Sequence, residues 1–384
     1  MTDTNSNLHG SYAYHDTLKG VYYGPGCVHT ALPTLLAVLG GTKALVVTGK
    51  SLREKTNVVT NVERILKDNG AFAATFSEIG QHAPVQGIIR GIEAFEAAGA
   101  DIIVSIGGGS PIDATKAIVY RLQKQTGGKF LNHIAIPTTL SAAEYRGGAG
   151  YTDEQGNKVS VSDPMISPAG VILDAELTLA TPEELWLSTG LRALDHAVEG
   201  LYNPVLPYPM KAFCYAALSD LFKYLPKSKA QPGDLETRQR LLIAAWMSLW
   251  PFKIEKYGPL GLSHSLGHKL GATYGIPHGI TSCLTLAPVV TLKADVASPS
   301  DKAALAEALF YLREPSTGSV EGDVRRLGSK IDELVRGLEL HRTLASYNVP
   351  RANLPTIAKL ALAAGDDPEL QRKTEALLES IYDA

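Results

Sequence analysis

A short apolar run, Asp101-Ile102-Ile103-Val104-Ser105-Ile106, leads directly into Gly107-Gly108-Gly109-Ser110-Pro111 and then into a helical pattern from Ile112. A strand this uniformly apolar is buried on both faces. That environment belongs to a parallel sheet whose strands are joined by crossover helices. Ser110 suits an N-cap, Pro111 the first helical position and Asp113 the first turn. Three glycines before a helix N-terminus let backbone N–H groups come close to a phosphate, and the helix dipole favours its charge. The plain alternative is a tight turn that uses glycine for positive φ. The position between a buried strand and a capped helix favours anion binding.

The rest of the first half repeats the alternation. Residues 1 to 20 read as an arm. Val21 to Gly26 reads as a short strand ending in a turn, followed by a helix over 30–39. Lys43 to Gly49 is a buried strand, 53–68 a helix, Phe72 to Phe76 a strand and 85–98 a helix. His133 to Pro137 runs into Thr138-Thr139-Leu140-Ser141, hydroxyls placed where ligands bind in doubly wound sheets. Residues 150–160 form a hairpin with its turn near Gly156, and Val171 to Asp174 is the last strand. The pattern predicts a parallel sheet with right-handed crossovers.

At Thr181-Pro182-Glu183-Glu184 the pattern changes. Thr181 and Glu184 make a capping box with Pro182 at the first helical position. Helices follow over 189–202, 208–224, 236–249, 260–273, 282–294, 301–312 and 322–340, with a final pair. The fold expected is an α/β domain over 1–180 and an all-helical domain over 181–384. With 384 residues there is ample core for both. A net charge of −3 gives no support for a nucleic-acid partner. Three scattered cysteines, Cys27, Cys214 and Cys283, imply neither a disulfide framework nor a CxxC site. The polar N-terminus and the lack of long apolar runs predict no signal peptide and no membrane span, so a cytoplasmic location is expected.

The second half carries most of the chemistry. Gly261 to Gly279 reads GLSHSLGHKLGATYGIPHG. His264 and His268 are four apart and share one helix face. Gly275 and Pro277 end that helix, which places His278 on a loop. The segment Leu191-Arg192-Ala193-Leu194-Asp195-His196 supplies a fourth histidine from another helix. Converging imidazoles suit a transition metal or proton transfer. The plain alternative is scattered surface histidines.

These stretches together resemble the iron-containing alcohol dehydrogenase family: GGGSPIDATKAI, IPTTLSAAE, TGLRALDHAVEG and the histidine-rich segment occur in that family's order. The resemblance implies an N-terminal dinucleotide domain, an all-helical C-terminal domain and an active site in the cleft between them, in a dehydroquinate synthase-like architecture. It implies that Gly107, Gly108, Gly109, Ser110 and Pro111 hold a nicotinamide cofactor's pyrophosphate, with Thr138, Thr139 and Lys158 also against the cofactor. The family's metal is held by one Asp and three His. His196, His264 and His278 match the histidines, and His268 matches a further non-ligand one. Arg192 occupies the aspartate's position. Arginine stays charged, and near a dication its repulsion is about 8 kcal/mol at 4 Å and an effective dielectric near 20. Asp195, one residue from His196, points about 100° away on a helix. A metal is therefore not expected; if one binds, His196, His264 and His278 are its ligands.

The chain looks nearer the family's maleylacetate reductase-like branch, which lacks that aspartate and works without metal. The function implied is hydride transfer between nicotinamide and a small carbonyl or alcohol substrate. Arg192 and the histidines 196, 264, 268 and 278 replace the metal at the developing alkoxide. Gly49, Lys50 and Ser51 stand where many NAD-using members have a carboxylate, so NADP(H) is favoured over NAD(H). A homodimer is expected. The competing functions are a dehydroquinate synthase-like lyase or cyclase with transient redox, a metal-dependent alcohol dehydrogenase with an altered ligand set, and a non-catalytic relative.

Overall fold

The computed structural model describes residues 17–80, 83–153, 155, 158–254, 258–362 and 367–383. Of the N-terminal arm, residues 1–16 lie outside this set, as do Glu154, Gly156 and Asn157 in the hairpin turn. Eight strands are present among the described residues: β1 (Gly20–Tyr23), β2 (Ala44–Val47), β3 (Phe72–Phe76), β4 (Ile102–Gly107), β5 (His133–Pro137), β6 (Gly148–Thr152), β7 (Lys158–Ser162) and β8 (Gly170–Leu173). Six of them form one sheet in the order β1-β8-β5-β4-β2-β3, with every pair parallel. β6 and β7 make a separate antiparallel hairpin.

The four residues of β2, Ala44-Leu45-Val46-Val47, are all buried because both faces of the sheet are covered. Ala44 and Val46 face a core with α1 (Val28–Leu39) and α3 (Val58–Asp68). Leu45 and Val47 face a second core with α4 (Val85–Ala97) and α5 (Gly109–Thr126). The predicted 53–68 helix is two pieces, α2 (Lys50–Lys55) and α3, broken at Thr56 and Asn57. The chain leaves β2 toward β3 on one side and enters β4 on the other. The C-terminal ends of β2 and β4 therefore flank a topological switch point, where open α/β sheets bind ligands.

After the short helix α6 (Ala175–Thr178), the remaining regular structure is helical: α7 (Glu183–Leu201), α8 (Tyr208–Ala230), α9 (Leu235–Leu249), α10 (Leu262–Tyr274), α11 (His278–Val296), α12 (Pro299–Leu312), α13 (Val320–Gly337), α14 (Leu354–Ala361) and α15 (Pro368–Ser380), with short 3-10 turns between some of them. α7 is buried from Trp186 to Leu201 on every face, which makes it the central helix of this part. α8, α9 and α11 pack around it. By length and composition α11 resembles a membrane span, but most of it is buried in this core.

The capping box expected at Thr181 does not form. Pro182 is the N-cap of α7 and no side chain bonds there. The Thr181 hydroxyl instead donates to the Thr138 carbonyl at 2.7 Å. The Leu140 N–H donates to Thr189 Oγ1 on α7 at 3.1 Å. These two bonds tie the loop after β5 to α7 and to the turn that precedes it. His278 is also placed differently from the expectation. It opens α11 rather than lying on a loop, because Pro277 is an N-cap that starts the next helix at once.

Candidate active site

The sheet side of the expected cleft is made mainly of backbone. β4 ends at Gly107 with φ 138°, a conformation L side chains rarely adopt. α5 begins at Gly109 with Gly108 as N-cap, earlier than the expected start at Ile112. Ser110 is thus inside the first turn rather than capping it, and no side chain caps this N-terminus. Asp113 lies beyond the first turn and pairs with Lys116 at 3.0 Å. A Cβ on Gly108 would come within 3.1 Å of Thr139 Cγ2, so glycine permits the close approach of the two loops. The Thr138 N–H donates to the Gly107 carbonyl at 2.9 Å, and Thr139 Oγ1 bonds Ser141 Oγ at 3.2 Å. The structure therefore brings together Gly107 to Pro111, Thr138 and Thr139. An open helix N-terminus beside a glycine turn and two hydroxyls fits a pyrophosphate.

Gly49 is the N-cap of α2 at the end of β2, with Lys50 and Ser51 opening the helix. Its backbone is ordinary extended chain, φ −94°, and an added Cβ would meet only the Ile79 carbonyl at 3.5 Å. Lys50 is exposed and pairs with Glu54 at 3.8 Å. Arg53 is held by Glu63 at 3.2 Å and by Thr60. Lys158 opens β7 opposite Thr152, and its side chain lies outside the described residues.

The helical side is made of charged side chains. Arg192, Asp195, His196 and Glu199 lie on consecutive turns of α7, and all four are buried. Arg192 Nη1 is 3.6 Å from Asp195 Oδ2 and donates to Ser282 Oγ at 3.3 Å. Ser282 on α11 and Ser263 on α10 each donate to Asp195 Oδ2, at 2.6 and 3.0 Å. His264 Nδ1 lies 2.8 Å from Glu199 Oε2 and 3.3 Å from Asp195 Oδ2. The imidazoles follow one another from inside to outside. His196 and His264 centroids are 4.8 Å apart, His264 and His268 6.4 Å, and His268 and His278 6.0 Å. His196 and His264 are buried, His278 is partly buried and His268 is exposed. The four histidines expected from sequence thus gather in one place, beside Arg192.

Desolvation dominates the electrostatics. Burial pushes the Asp195 carboxyl upward, but His264, Arg192 and Ser282 outweigh it and hold it below its ordinary range. Burial lowers the Arg192 pKa, and Asp195 and Glu199 oppose that. Burial, followed by the charges of His264, Arg192 and Arg146, drives His196 well below its ordinary value, so its imidazole is neutral. Among the described residues, the Nδ1 of His196 and the Nε2 of His264 are buried without a hydrogen-bond partner.

Sequence reasoning underrated Asp195 and Glu199. Asp195 meets Ser263, His264 and Ser282, and the His196 ring lies beside the same His264 ring. The available signal was the four-residue spacing of the two carboxylates, which puts both on one helix stripe. Arg146, whose charge reaches both Arg192 and His196, was also missed.

A parallel α/β unit with a glycine turn at a helix N-terminus, joined to a helical unit with clustered imidazoles, is the arrangement of a nicotinamide-dependent oxidoreductase. Residues 19–175 match the model of "Iron-containing alcohol dehydrogenase", and residues 186–384 match "Fe-containing alcohol dehydrogenase family, C-terminal". The chain belongs to the iron-containing alcohol dehydrogenase family and is an oxidoreductase. It is 37% identical to a maleylacetate reductase of Rhizobium sp. (strain MTP-10005) over 179 residues, 46% of this chain and 48% of that one. The crystal structure of that reductase superposes with a TM-score of 0.81 at 28% identity, covering 98% of this chain and 99% of the other. Maleylacetate reductase 1 of Cupriavidus pinatubonensis is 29% identical over 342 residues, 89% of this chain and 88% of that one. An NAD-dependent methanol dehydrogenase of Bacillus methanolicus is 30% identical over 248 residues, 61% of this chain and 64% of its own.

The donor set present does not fit the metal site expected from one aspartate and three histidines. Arg192 stands at the carboxylate position, with its guanidinium against Asp195. Among the described residues, Asp195, Glu199 and His264 have ligand atoms within 4.8 Å of one another. That group is already engaged: Glu199 accepts from Gly261 N, Ser263 N and Tyr202 Oη, and Asp195 faces the Arg192 cation.

Proposed function

We propose that the protein transfers a hydride between NADP(H) and a small carbonyl or alcohol substrate, without a metal. The observation that carries this is the buried Arg192 guanidinium beside His196 and His264, at the position the resemblance gives to a metal-binding carboxylate. When bound, the nicotinamide supplies or accepts the hydride at its C4. Gly107, Gly108, Gly109, Ser110 and Pro111 hold the pyrophosphate, and Thr138, Thr139 and Lys158 line the path of the rest. Arg192 stabilises negative charge on the substrate oxygen as a carbonyl becomes an alkoxide, or pairs with a substrate carboxylate. The histidines 196, 264, 268 and 278 supply the proton path, since they lead from the buried cluster to an exposed ring.

Preference for NADP(H) is supported by Gly49, which offers no carboxylate to repel a 2′-phosphate. Of the nearby cations Lys50 is exposed with only a long contact to Glu54 at 3.8 Å, whereas Arg53 is held by the buried Glu63 at 3.2 Å. Residues 1–180 act as the cofactor unit and 181–384 complete the cleft. The unpaired Cys27, Cys214 and Cys283 support a reducing compartment, and we place a homodimer in the cytoplasm.

The test follows absorbance at 340 nm with NADPH and either maleylacetate or short aldehydes, before and after chelation, alongside elemental analysis. Net NADPH oxidation that survives chelation, with no stoichiometric metal, is expected. Activity lost in chelator and restored by a metal would overturn the metal-free mechanism. Product formed without net oxidation would instead indicate the cyclase chemistry.

A further inference from the structure

Glu199 is almost fully buried on α7, yet it reaches α10, a different helix. Its Oε2 accepts from Gly261 N at 2.7 Å and faces His264 Nδ1 at 2.8 Å. Its Oε1 accepts from Ser263 N at 2.8 Å and from Tyr202 Oη at 3.1 Å. Gly261 is the N-cap of α10 and has no side chain to cap with, so the glutamate caps the helix from outside. A negative charge at a helix N-terminus is favoured by the dipole.

The approach is close by construction. A Cβ on Gly261 would sit 2.8 Å from Glu199 Oε1 and 2.5 Å from Tyr202 Oη. The Gly261 φ of −82° is open to any residue, so glycine is needed there for space. Two carboxylates then face one nitrogen of His264, Glu199 at 2.8 Å and Asp195 at 3.3 Å. A carboxylate only accepts, so the nitrogen it faces must carry the proton. Asp195 is the weaker claimant, because its Oδ2 already accepts from two serines and neighbours Arg192.

We propose that Glu199 is a positioning residue: it keeps a proton on His264 Nδ1, so that the buried Nε2, which has no partner among the described residues, is the nitrogen that exchanges a proton with the substrate oxygen, giving it to an alkoxide from the doubly protonated ring or taking it from an alcohol as the neutral one. His264, rather than the exposed His268, is then the imidazole presented to the reacting centre. The same arrangement, an imidazole oriented through its other nitrogen, is how proteins fix histidine tautomers at reactive sites. The identity of the group that Nε2 meets rests on the oxidoreductase function proposed above, whereas the tautomer itself does not.

The test uses the full chain labelled with 15N-histidine and two-bond 1H–15N spectra, with the His264 signals assigned through His264→Gln. At a pH where the ring is uncharged, the wild type is expected to show His264 protonated at Nδ1 only. Glu199→Gln places an amide N–H among donors, and Gly261→Ala pushes the carboxylate away without removing it. Both are expected to raise the Nε2-protonated tautomer to about half of the population or more. Asp195→Asn is the control and should leave the Nδ1 tautomer dominant. In the Glu199→Gln and Gly261→Ala variants kcat for alcohol oxidation, in which Nε2 accepts the hydroxyl proton, should fall at least tenfold, while NADPH affinity, read by its fluorescence, stays within about twofold. If folded Glu199→Gln and Gly261→Ala keep the wild-type tautomer, Glu199 is only a helix cap and the proposal is overturned. If the tautomer shifts in a protein that oxidises no NADPH with any carbonyl tested, positioning stands and the assigned reaction fails.

Discussion

The two parts of the candidate site are built from different materials. On the sheet side, Gly107 to Gly109 present backbone at the start of α5, and the neighbouring polar groups are neutral hydroxyls. On the helical side, Arg192, Asp195, Glu199 and His264 are ionisable side chains, all buried and each in contact with another. A backbone site tolerates change anywhere except where a Cβ or a φ value is critical. A buried ionic network tolerates change nowhere, because removing one member leaves its partner's charge desolvated. The nucleotide side therefore depends on a few glycines, and the chemical side on every charge.

The largest effect should come from Arg192→Ala. It strands Asp195 and removes the cation from the site, so we expect an unfolding free energy lower by about 3–5 kcal/mol. kcat/KM should fall at least a hundredfold on the scale of a lost oxyanion donor. Denaturant titration and steady-state kinetics measure the two. Wild-type stability and turnover together would erase the contrast between the two sides. Arg192→Asp sharpens it further, since it should convert the site to one that retains zinc after dialysis, as read by elemental analysis.

On the sheet side Gly107→Ala is the matching test. Its φ of 138° makes a side chain strained, and the added Cβ would also meet Pro111 Cγ at 3.0 Å. A cost of about 1–3 kcal/mol is expected, shared between stability and NADPH affinity. Calorimetric NADPH titration unchanged from wild type would show that the turn does not hold the cofactor.

β5 of the sheet also buries a titratable ring. His133 Nε2 bonds Ser105 Oγ at 2.6 Å, and burial, with a lesser contribution from Lys116, lowers its pKa to about 3. The unfolded chain takes up this proton near pH 6.5, which the folded state refuses until about 3. The stability it confers is therefore complete above about pH 6.5 and is lost as pH falls toward 3. Between pH 6.5 and 5 the loss should be about 2 kcal/mol. His133→Gln should flatten that slope in urea titrations at several pH values, and an unchanged slope would mean the ring is already charged in the fold.

The smallest effect belongs to Gly49→Asp. The site has room for a side chain, so no stability change is expected. The ratio of kcat/KM for NADPH over NADH should drop about tenfold, on the order of one charge-assisted hydrogen bond. A wild type that already works as well with NADH would remove the premise.

How much of this was legible in sequence follows from the range of each interaction. The strands β2 to β5, the glycine turn and the change to helices near residue 181 are local patterns: apolar runs, 3.6-residue periods and glycine before a helix. His133 to Pro137 and Phe72 to Phe76 emerged with the expected bounds for that reason. Local chemistry misled where a distant partner competed. Thr181 offered a capping box, but its hydroxyl bonds the Thr138 carbonyl, 43 residues away. Ser110 resembled a cap, but the close packing of Gly108 on Thr139 lets α5 begin earlier.

The sequence by itself determined which residues are candidates for the chemistry: four histidines, an arginine where a carboxylate was expected, and a phosphate-type turn. Only the tertiary structure decided which of them act on each other. Asp195 and Glu199 are 65 to 69 residues from His264, and the hydrogen bonds that set its orientation exist only once α7 and α10 are packed. Helical spacing shows which side of α7 a carboxylate faces. What lies on that side depends on how buried helices pack, and one sequence does not contain the register of that packing.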